Sequence, residues 1–311
     1  MLTGAGERTR WGIEGLELGI SLGGITTPQD WQRQLEWVVR AEDLGLHSVW
    51  LPEMHFAPGA CARPLLALSG FAARTRRLRL ATTSLLLPIH HPRQLAEDVA
   101  TLDAISGGRV VLGLGRGFRA PLFSGFGIDG ASKRDLFDQC LEQILAAWKG
   151  RCPPMAVAAF GRKGLAQAAR YGLPYLASPI ESLDLLEENL RFYREQLHRS
   201  IDAGSLAVPV MRTVHVAQDD AEAASVLASL EAENRRMLQG RVPKALGRAA
   251  AAGVSERAII GTREQVVEQI GRYRERLGLD LLIARVEVAG ASPEQRVASL
   301  ARLVEEVLPA L

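Results

Sequence analysis

The chain has 311 residues, 47% hydrophobic and 23% charged, so it can bury a sizeable core and is not expected to be disordered. Its 37 basic and 35 acidic residues are interspersed and give a formal net charge of +2, which argues against a nucleic-acid partner because no basic block is present to follow phosphates. Its three cysteines, Cys61, Cys140 and Cys152, have no Cys-x-x-Cys spacing, which argues against a disulfide framework or structural zinc and favours a reducing cytoplasm.

Short apolar runs occur along the whole chain. Residues 1–10 are polar, and no stretch reaches the roughly 18 apolar residues that span a bilayer, so we expect neither a signal peptide nor a membrane anchor. Runs rich in Leu, Val and Ile then predict eight strands, at 16–22, 48–51, 78–87, 109–114, 155–159, 173–177, 208–216 and 281–288. Their mostly continuous apolar character is typical of parallel strands that are covered on both faces.

Helices are predicted between these strands. Three helical patterns end at a Gly-Leu pair, at Gly45, Gly172 and Gly278, and a predicted strand follows each at once. Thr27 with Pro28, residues 262–265 and residues 292–295 carry helix-start signals. The alternation predicts a single eightfold parallel β/α barrel domain over residues 1–311, with a doubly wound open sheet as the alternative.

Barrel enzymes place their sites at the carboxyl ends of the strands. Glu53 and His55 follow the second predicted strand and are interpreted as a titratable pair that exchanges protons with a bound cofactor or substrate. The alternative is a loop histidine that only hydrogen-bonds the backbone. His90 and His91, after the third strand, are adjacent and point in different directions, so no metal site is predicted.

Two glycine-containing segments are candidates for ligand binding. The sequence Gly-Leu-Gly-Arg-Gly at 113–117 lacks dinucleotide-fingerprint spacing, but it allows a planar ligand close approach and offers Arg116 to an anion. The sequence Gly-Arg-Lys-Gly at 161–164 precedes a predicted helix, whose free amides suit a phosphate. A surface ion pair at Arg116 and a solvated basic turn at 161–164 are the alternatives.

Residues 87–109, 113–118 and 123–128 closely resemble the bacterial luciferase-like flavin monooxygenases, and the resemblance covers nearly the whole chain. It implies an eightfold barrel, often dimeric, that binds flavin at the carboxyl ends of its strands. An unusual peptide under the flavin ring is implied at Thr83 and Ser84, and the phosphate site at Arg116 and the loop at 161–164. The cofactor-binding residues implied are Thr83, Ser84, Gly115, Arg116, Gly161, Arg162, Lys163 and Gly164.

The chain departs from the family pattern at several points. Met54 replaces the first of two histidines that follow the glutamate, and Gly115 stands where luciferase carries a reactive cysteine, consistent with a different substrate. Phe160 and Gly161 replace the usual acidic and hydroxyl residues of the phosphate loop, and Arg162 and Lys163 are expected to compensate. The connection at 148–154 is shorter than in the family and brings the pocket wall and lid into question.

The resemblance implies a monooxygenase that uses reduced FMN and molecular oxygen on a small apolar or carbonyl-containing organic substrate. His55 is expected to handle the proton and Glu53 to orient it. A separate flavin reductase, a homodimer and a cytoplasmic location are expected with this function. The alternatives are a deazaflavin-dependent hydride-transfer enzyme and a non-catalytic flavin-binding protein or partner subunit.

Overall fold

The computed structural model describes residues 7–57, 59–238, 247–249 and 252–311. Its strands are Glu17–Ser21 (β1), Ser48–Leu51 (β2), Arg79–Leu86 (β3), Val110–Gly115 (β4), Met155–Ala158 (β5), Tyr175–Leu176 (β6), Pro209–Val216 (β7), Ile259–Gly261 (β8) and Leu281–Arg285 (β9). Its α-helices are Glu7–Trp11 (α1), Pro28–Asp43 (α2), Pro64–Ala72 (α3), Pro92–Ser106 (α4), Ala120–Gly125 (α5), Lys133–Trp148 (α6), Arg162–Tyr171 (α7), Leu183–Gln196 (α8), Asp220–Leu238 (α9), Arg263–Leu277 (α10) and Pro293–Arg302 (α11).

Eight of the strands form a parallel barrel. Strands β1 to β6 pair in sequence order, β9 pairs with β1, and β7 pairs with β9. The remaining gap between β6 and β7 is closed at Ala177, whose amide donates to Pro209 O (3.1 Å) and whose carbonyl accepts from Met211 N (3.1 Å). The predicted barrel is therefore confirmed, and the open doubly wound alternative is not found.

The helix-end signals act as predicted. Gly45, Gly172 and Gly278 all have positive φ angles of 65–71°, which glycine adopts without steric cost as a helix closes. The hydroxyl of Thr27 accepts from the amide of Asp30, and the Asp30 carboxylate accepts from Thr27 N in return, so both form a capping box at the start of α2. These local signals fix where the helices begin and end.

The barrel interior is a filled core, and its amino end is plugged. The ring of Trp11 from α1 stacks on that of Trp50 at 6.3 Å between centroids, at the end of the barrel opposite the carboxyl ends of the strands. The inward side chains above this plug are Ala81, Val111, Ala156, Leu176, Met211, Leu281 and Ile283. The plug closes this end to a ligand, so the candidate entrance is the opposite end, at the carboxyl ends of the strands, which we call the mouth.

One strand was not predicted. β8 has three residues and pairs with the last part of β7 beyond the end of β6, where Ala217 N donates to Gly261 O (2.8 Å). A run of three residues is too short to show a strand pattern in the sequence.

The short connection at 148–154 does not shape a pocket wall. It joins the end of α6 to the start of β5, and Cys152 O accepts there from Arg10 of the amino-terminal plug (2.6 Å). The expectation that its shortening alters the pocket wall and lid is therefore wrong, because the connection lies at the end of the barrel opposite the mouth. Among the described residues, no helix combines the length and apolar character needed to cross a membrane.

Candidate active site

The centre of the mouth holds a buried carboxylate. Glu53 follows β2 and is only 4% exposed. Its Oε2 accepts from the amide of Leu86 at the end of β3 (2.7 Å), and its Oε1 lies 2.9 Å from Nε2 of His55 and 2.9 Å from Nε2 of His90. Three donors from two strand ends thus converge on one carboxylate.

The charge of this carboxylate is stabilised by its partners. Burial opposes ionisation, but the hydrogen bonds from His55 and His90 outweigh it and lower the pKa of Glu53. Because an ionised carboxylate only accepts hydrogen bonds, both imidazoles carry a proton on Nε2. Nδ1 of each ring is then the atom that can accept a proton. A carboxylate that fixes the tautomer and orientation of a histidine is a common arrangement in acid–base chemistry.

The sequence predicted one of the two histidine partners. Glu53 and His55 were expected to pair, and the structure places them in direct hydrogen-bond contact. The sequence predicted no role for His90, yet this residue bonds both oxygens of Glu53. His91 is exposed at the start of α4 and caps no helix amide, so the two adjacent rings do point apart. The described residues contain no cluster of three His, Cys, Asp or Glu arranged as a metal site.

A second polar region lies at the ends of β4 and β5. Arg116 follows β4, and its guanidinium donates to Ala158 O and to Oε1 of Gln167 (2.7 Å) on α7. A Cβ placed on Gly164 would lie 3.0 Å from Nη2 of Arg116, so the guanidinium touches the first turn of this helix. Gly161 caps α7 without a side-chain hydrogen bond. Gly164 N and Leu165 N donate to Gly161 O, so the amides of Arg162 and Lys163 are the ones in this turn that can serve a ligand beside the cation.

Additional cations surround this helix start. Burial, together with the nearby positive charge of Arg134, lowers the pKa of Arg116 to about 10, while the charge of Asp138 acts in the opposite direction. Burial also lowers the pKa of Lys133, and the charges of Arg134 and Arg116 add to that effect. Asp138 is itself paired with Arg170. Three close cations and a helix amino terminus form a site that favours a phosphate.

The two basic residues of the loop itself point elsewhere. The guanidinium of Arg162 lies over the ring of Phe192 (4.8 Å) and 3.8 Å from Glu188, both on α8. Lys163 is exposed and makes no ion pair within the described ranges. The structure thus brings Arg116, Gly161 and Gly164 together, while Arg162 faces the neighbouring helix.

The floor of the mouth lies between these two regions. The peptide bond between Thr83 and Ser84 in β3 is cis, at the position where the resemblance implied an unusual peptide. A Cβ on Gly115 of β4 would lie 2.1 Å from Oγ of Ser84, so the close packing of the two strand ends requires glycine there. This packing gives a local reason for Gly115 in addition to any change of substrate.

Aromatic side chains line the rim of the mouth. The ring of Phe126 lies 4.9 Å edge-on to His55 and 5.6 Å from Phe56. Phe118, next to the Arg116 site, packs edge-on against Phe160 at 6.2 Å. An apolar rim above a buried titratable pair suits a planar or apolar ligand whose chemistry requires exclusion of water.

Comparison with known proteins places these features in context. Residues 18–280 match the family described as luciferase-like monooxygenase. The chain is similar to the oxygenase component of the flavin-dependent trigonelline monooxygenase of Acinetobacter baylyi. The alignment is 329 positions long with gaps, has 24% identity, and covers 92% of this chain and 91% of that protein. The uncharacterised protein y4wF of Sinorhizobium fredii is 39% identical over 108 residues, 34% of this chain and 32% of that protein.

The chain spans less than two thirds of the length of two curated relatives from Sinorhizobium fredii, y4wF (32%) and y4vJ (66%). Among solved structures, monooxygenase RslO1 of Streptomyces bottropensis has a TM-score of 0.80 at 25% identity and covers 94% of this chain and 99% of its own. The oxygenating constituent of 3,6-diketocamphane monooxygenase from Pseudomonas putida, in complex with FMN, shares the fold with a TM-score of 0.78 at 21% identity, covering 95% and 98%. An F420-dependent secondary alcohol dehydrogenase also shares the fold, with a TM-score of 0.74 at 18% identity over 95% and 99% of the two chains.

Proposed function

Because the chain belongs to the luciferase-like monooxygenase family, we propose that it is a flavin-dependent monooxygenase that uses reduced FMN and molecular oxygen. Its substrate is a small apolar or carbonyl-containing organic molecule. The observation that carries the proposal is that one mouth holds both a phosphate-favouring region around Arg116 and the Glu53–His55 pair.

The residues of the mouth fit FMN. Arg116 and the first amides of α7 would hold the phosphate, with Lys133 and Arg134 adding positive charge. Thr83, Ser84 and Gly115 would lie against the ring, where the absence of a side chain at Gly115 leaves the two strand ends in close contact. Bound reduced flavin supplies the electrons that activate molecular oxygen.

The protein supplies orientation and proton handling. Glu53 remains ionised and holds Nε2–H of His55, so Nδ1 of His55 takes up or releases the proton that the oxygen transfer requires. His90 fixes the same carboxylate from the other side and acts as a positioning residue. The aromatic rim around Phe126 keeps water from the reacting atoms.

A deazaflavin-dependent hydride transfer is the second candidate. The phosphate loop favours it, since Phe160 and Gly161 stand where acidic and hydroxyl residues are usual in flavin-binding members. Calorimetric titration of the protein with FMN and with a deazaflavin distinguishes the two, because tighter binding of FMN excludes the second candidate. A non-catalytic flavin-binding protein would bind FMN equally well but would not alter its reaction with oxygen.

We further propose that the chain acts as a single domain in a cytoplasmic homodimer and receives reduced FMN from a separate flavin reductase. One relative, the trigonelline monooxygenase, is named as an oxygenase component, which supports a system in which the reductase is a separate protein. Sedimentation analysis tests the dimer, and a reductase-coupled assay tests the supply of flavin.

Stopped-flow oxidation of bound reduced FMN tests the monooxygenase directly, without a known substrate. The wild-type protein should change the rate at which reduced FMN is oxidised by oxygen, and H55Q should shift that rate toward the value for free flavin. The matched control is H198Q, because the ring of His198 is exposed and, in the part of the chain that the structure describes, bonds Ser200 alone. Bound flavin that reacts at the free rate in the wild type would refute the proposal.

A further inference from the structure

An arginine points into the mouth on the side opposite the phosphate region. Arg285 is the last residue of β9 and pairs in register with Thr213 of β7. It continues the inward face formed by Leu281 and Ile283, which fill the barrel interior. In the barrel order, β9 lies four strands from β4, so Arg285 lies across the mouth from the strand end that carries Arg116.

Arg285 has no close counter-charge. Its side chain is exposed to solvent, and partial desolvation by the surrounding protein lowers its pKa. Its guanidinium makes one long hydrogen bond, to Oγ1 of Thr213 (3.4 Å), and no ion pair within 4.0 Å in the described part of the chain. Glu233 and Glu287 act on it only at longer range, and Glu287 is bonded elsewhere, to Arg33 among others.

A second arginine, close enough for its charge to be repelled by that of Arg285, has unmet hydrogen-bonding capacity. Arg257 precedes β8, is 8% exposed and donates through Nη2 to Asn234 of α9. Its Nε finds no acceptor in the described ranges. Burial lowers its pKa, and repulsion from Arg285 and Arg212 lowers it further. Arg212 is fully buried, and its Nη2 likewise has no acceptor there.

The unmet donors of the buried Arg257 and Arg212 are unfavourable without an acceptor. Buried charges are normally paired, and a buried donor without an acceptor carries a desolvation cost. The residues outside the described ranges include neither Asp nor Glu, so they offer no side-chain carboxylate to these arginines. A planar guanidinium matches a carboxylate with two parallel hydrogen bonds.

We propose that Arg285 and Arg257 form an anion subsite that binds a carboxylate of the organic substrate, on the opposite side of the mouth from the flavin phosphate. This inference rests on the proposed function and narrows its substrate class to organic acids. The carboxylate would anchor the substrate at β7 and β9, and the remainder of the molecule would extend toward the ring and His55.

Binding of benzoate and of its neutral counterpart benzamide tests the subsite. Calorimetry on the full-length protein saturated with FMN keeps the phosphate region occupied. Benzoate should bind at least about tenfold more tightly than benzamide, and R285Q and R257Q should each remove most of that difference. R263Q is the matched control, because Arg263 at the start of α10 forms its ion pair with Glu264 alone among the described residues, and the substitution should not change the preference.

Two further variants separate this inference from the proposed function. R116Q should weaken FMN binding and leave benzoate binding unchanged, and R285Q should do the reverse. R285K should retain part of the preference for benzoate. That result would show that R285Q loses the preference because it loses the charge, and not because it fails to fold. Equal affinity of benzoate and benzamide for the wild type, an unchanged preference in both R285Q and R257Q, or tighter binding of benzenesulfonate than of benzoate would overturn the carboxylate assignment.

Discussion

Replacing Glu53 by glutamine tests the centre of the site. The variant E53Q keeps the size of the side chain but removes the charge that accepts from His55, His90 and the amide of Leu86. A hydrogen bond to a charged group contributes ~1.5–3 kcal/mol and one between neutral groups ~1 kcal/mol. Two imidazole bonds that change from the charged to the neutral class should therefore lower the free energy of unfolding by about 1–4 kcal/mol.

The effect should also depend on pH, with a defined sign. Because the pKa of Glu53 is lowered in the folded protein, its contribution to stability is present above the ordinary glutamate value of 4.5 and is lost as the pH falls below that value. Urea unfolding of wild type and E53Q at several pH values should give a gap at pH 7 that shrinks below pH 4.5. The rate of oxidation of bound reduced FMN should change about 10- to 100-fold in E53Q, because His55 loses its orientation. A variant that matches the wild type in both stability and rate would refute this account of the carboxylate.

Three further predictions follow from neighbouring residues. H90Q should reduce the rate of bound-flavin oxidation less than H55Q does and should leave the affinity for FMN unchanged, as measured by stopped flow and calorimetry; equal losses in the two variants would contradict a positioning role. His47 bonds Trp11 O (2.8 Å), and burial lowers its pKa from 6.5 to about 4, so stability present above pH 6.5 is lost as the pH falls toward 4. The unfolding free energy of wild type relative to H47Q should fall by ~3 kcal/mol over that range, and a constant difference would contradict the buried neutral ring. G115A should destabilise the protein by ~1–3 kcal/mol because its Cβ meets Oγ of Ser84, and S84A should relieve part of that cost in the double variant, whereas purely additive effects would contradict the contact.

The features that sequence predicted well are local. Gly45, Gly172 and Gly278 end helices through a backbone conformation that depends on the glycine itself, so each is visible without knowledge of the fold. The eight barrel strands were recognisable because each is covered on both faces and is therefore mostly apolar. Glu53 and His55 lie two positions apart in one loop, so their contact could be predicted from the sequence alone.

The features that sequence missed depend on closure of the barrel. His90 is 37 residues from Glu53, and Gln167 is 51 residues from its partner Arg116. A signal for His90 existed, since it follows the strand next to that of Glu53, and the carboxyl ends of neighbouring parallel strands meet at one end of the barrel. No such signal marked Arg257, because it precedes a strand too short to be predicted.

Comparison of FMN with riboflavin most directly tests the claim that the mouth holds a flavin with its phosphate at Arg116. The two ligands differ only in the phosphate, so the ratio of their dissociation constants isolates its contribution. The structure predicts that the wild type binds FMN at least about tenfold more tightly than riboflavin by calorimetry and that R116Q removes most of this preference. Equal affinities for FMN and riboflavin in the wild type, or a preference that R116Q leaves intact, would contradict it.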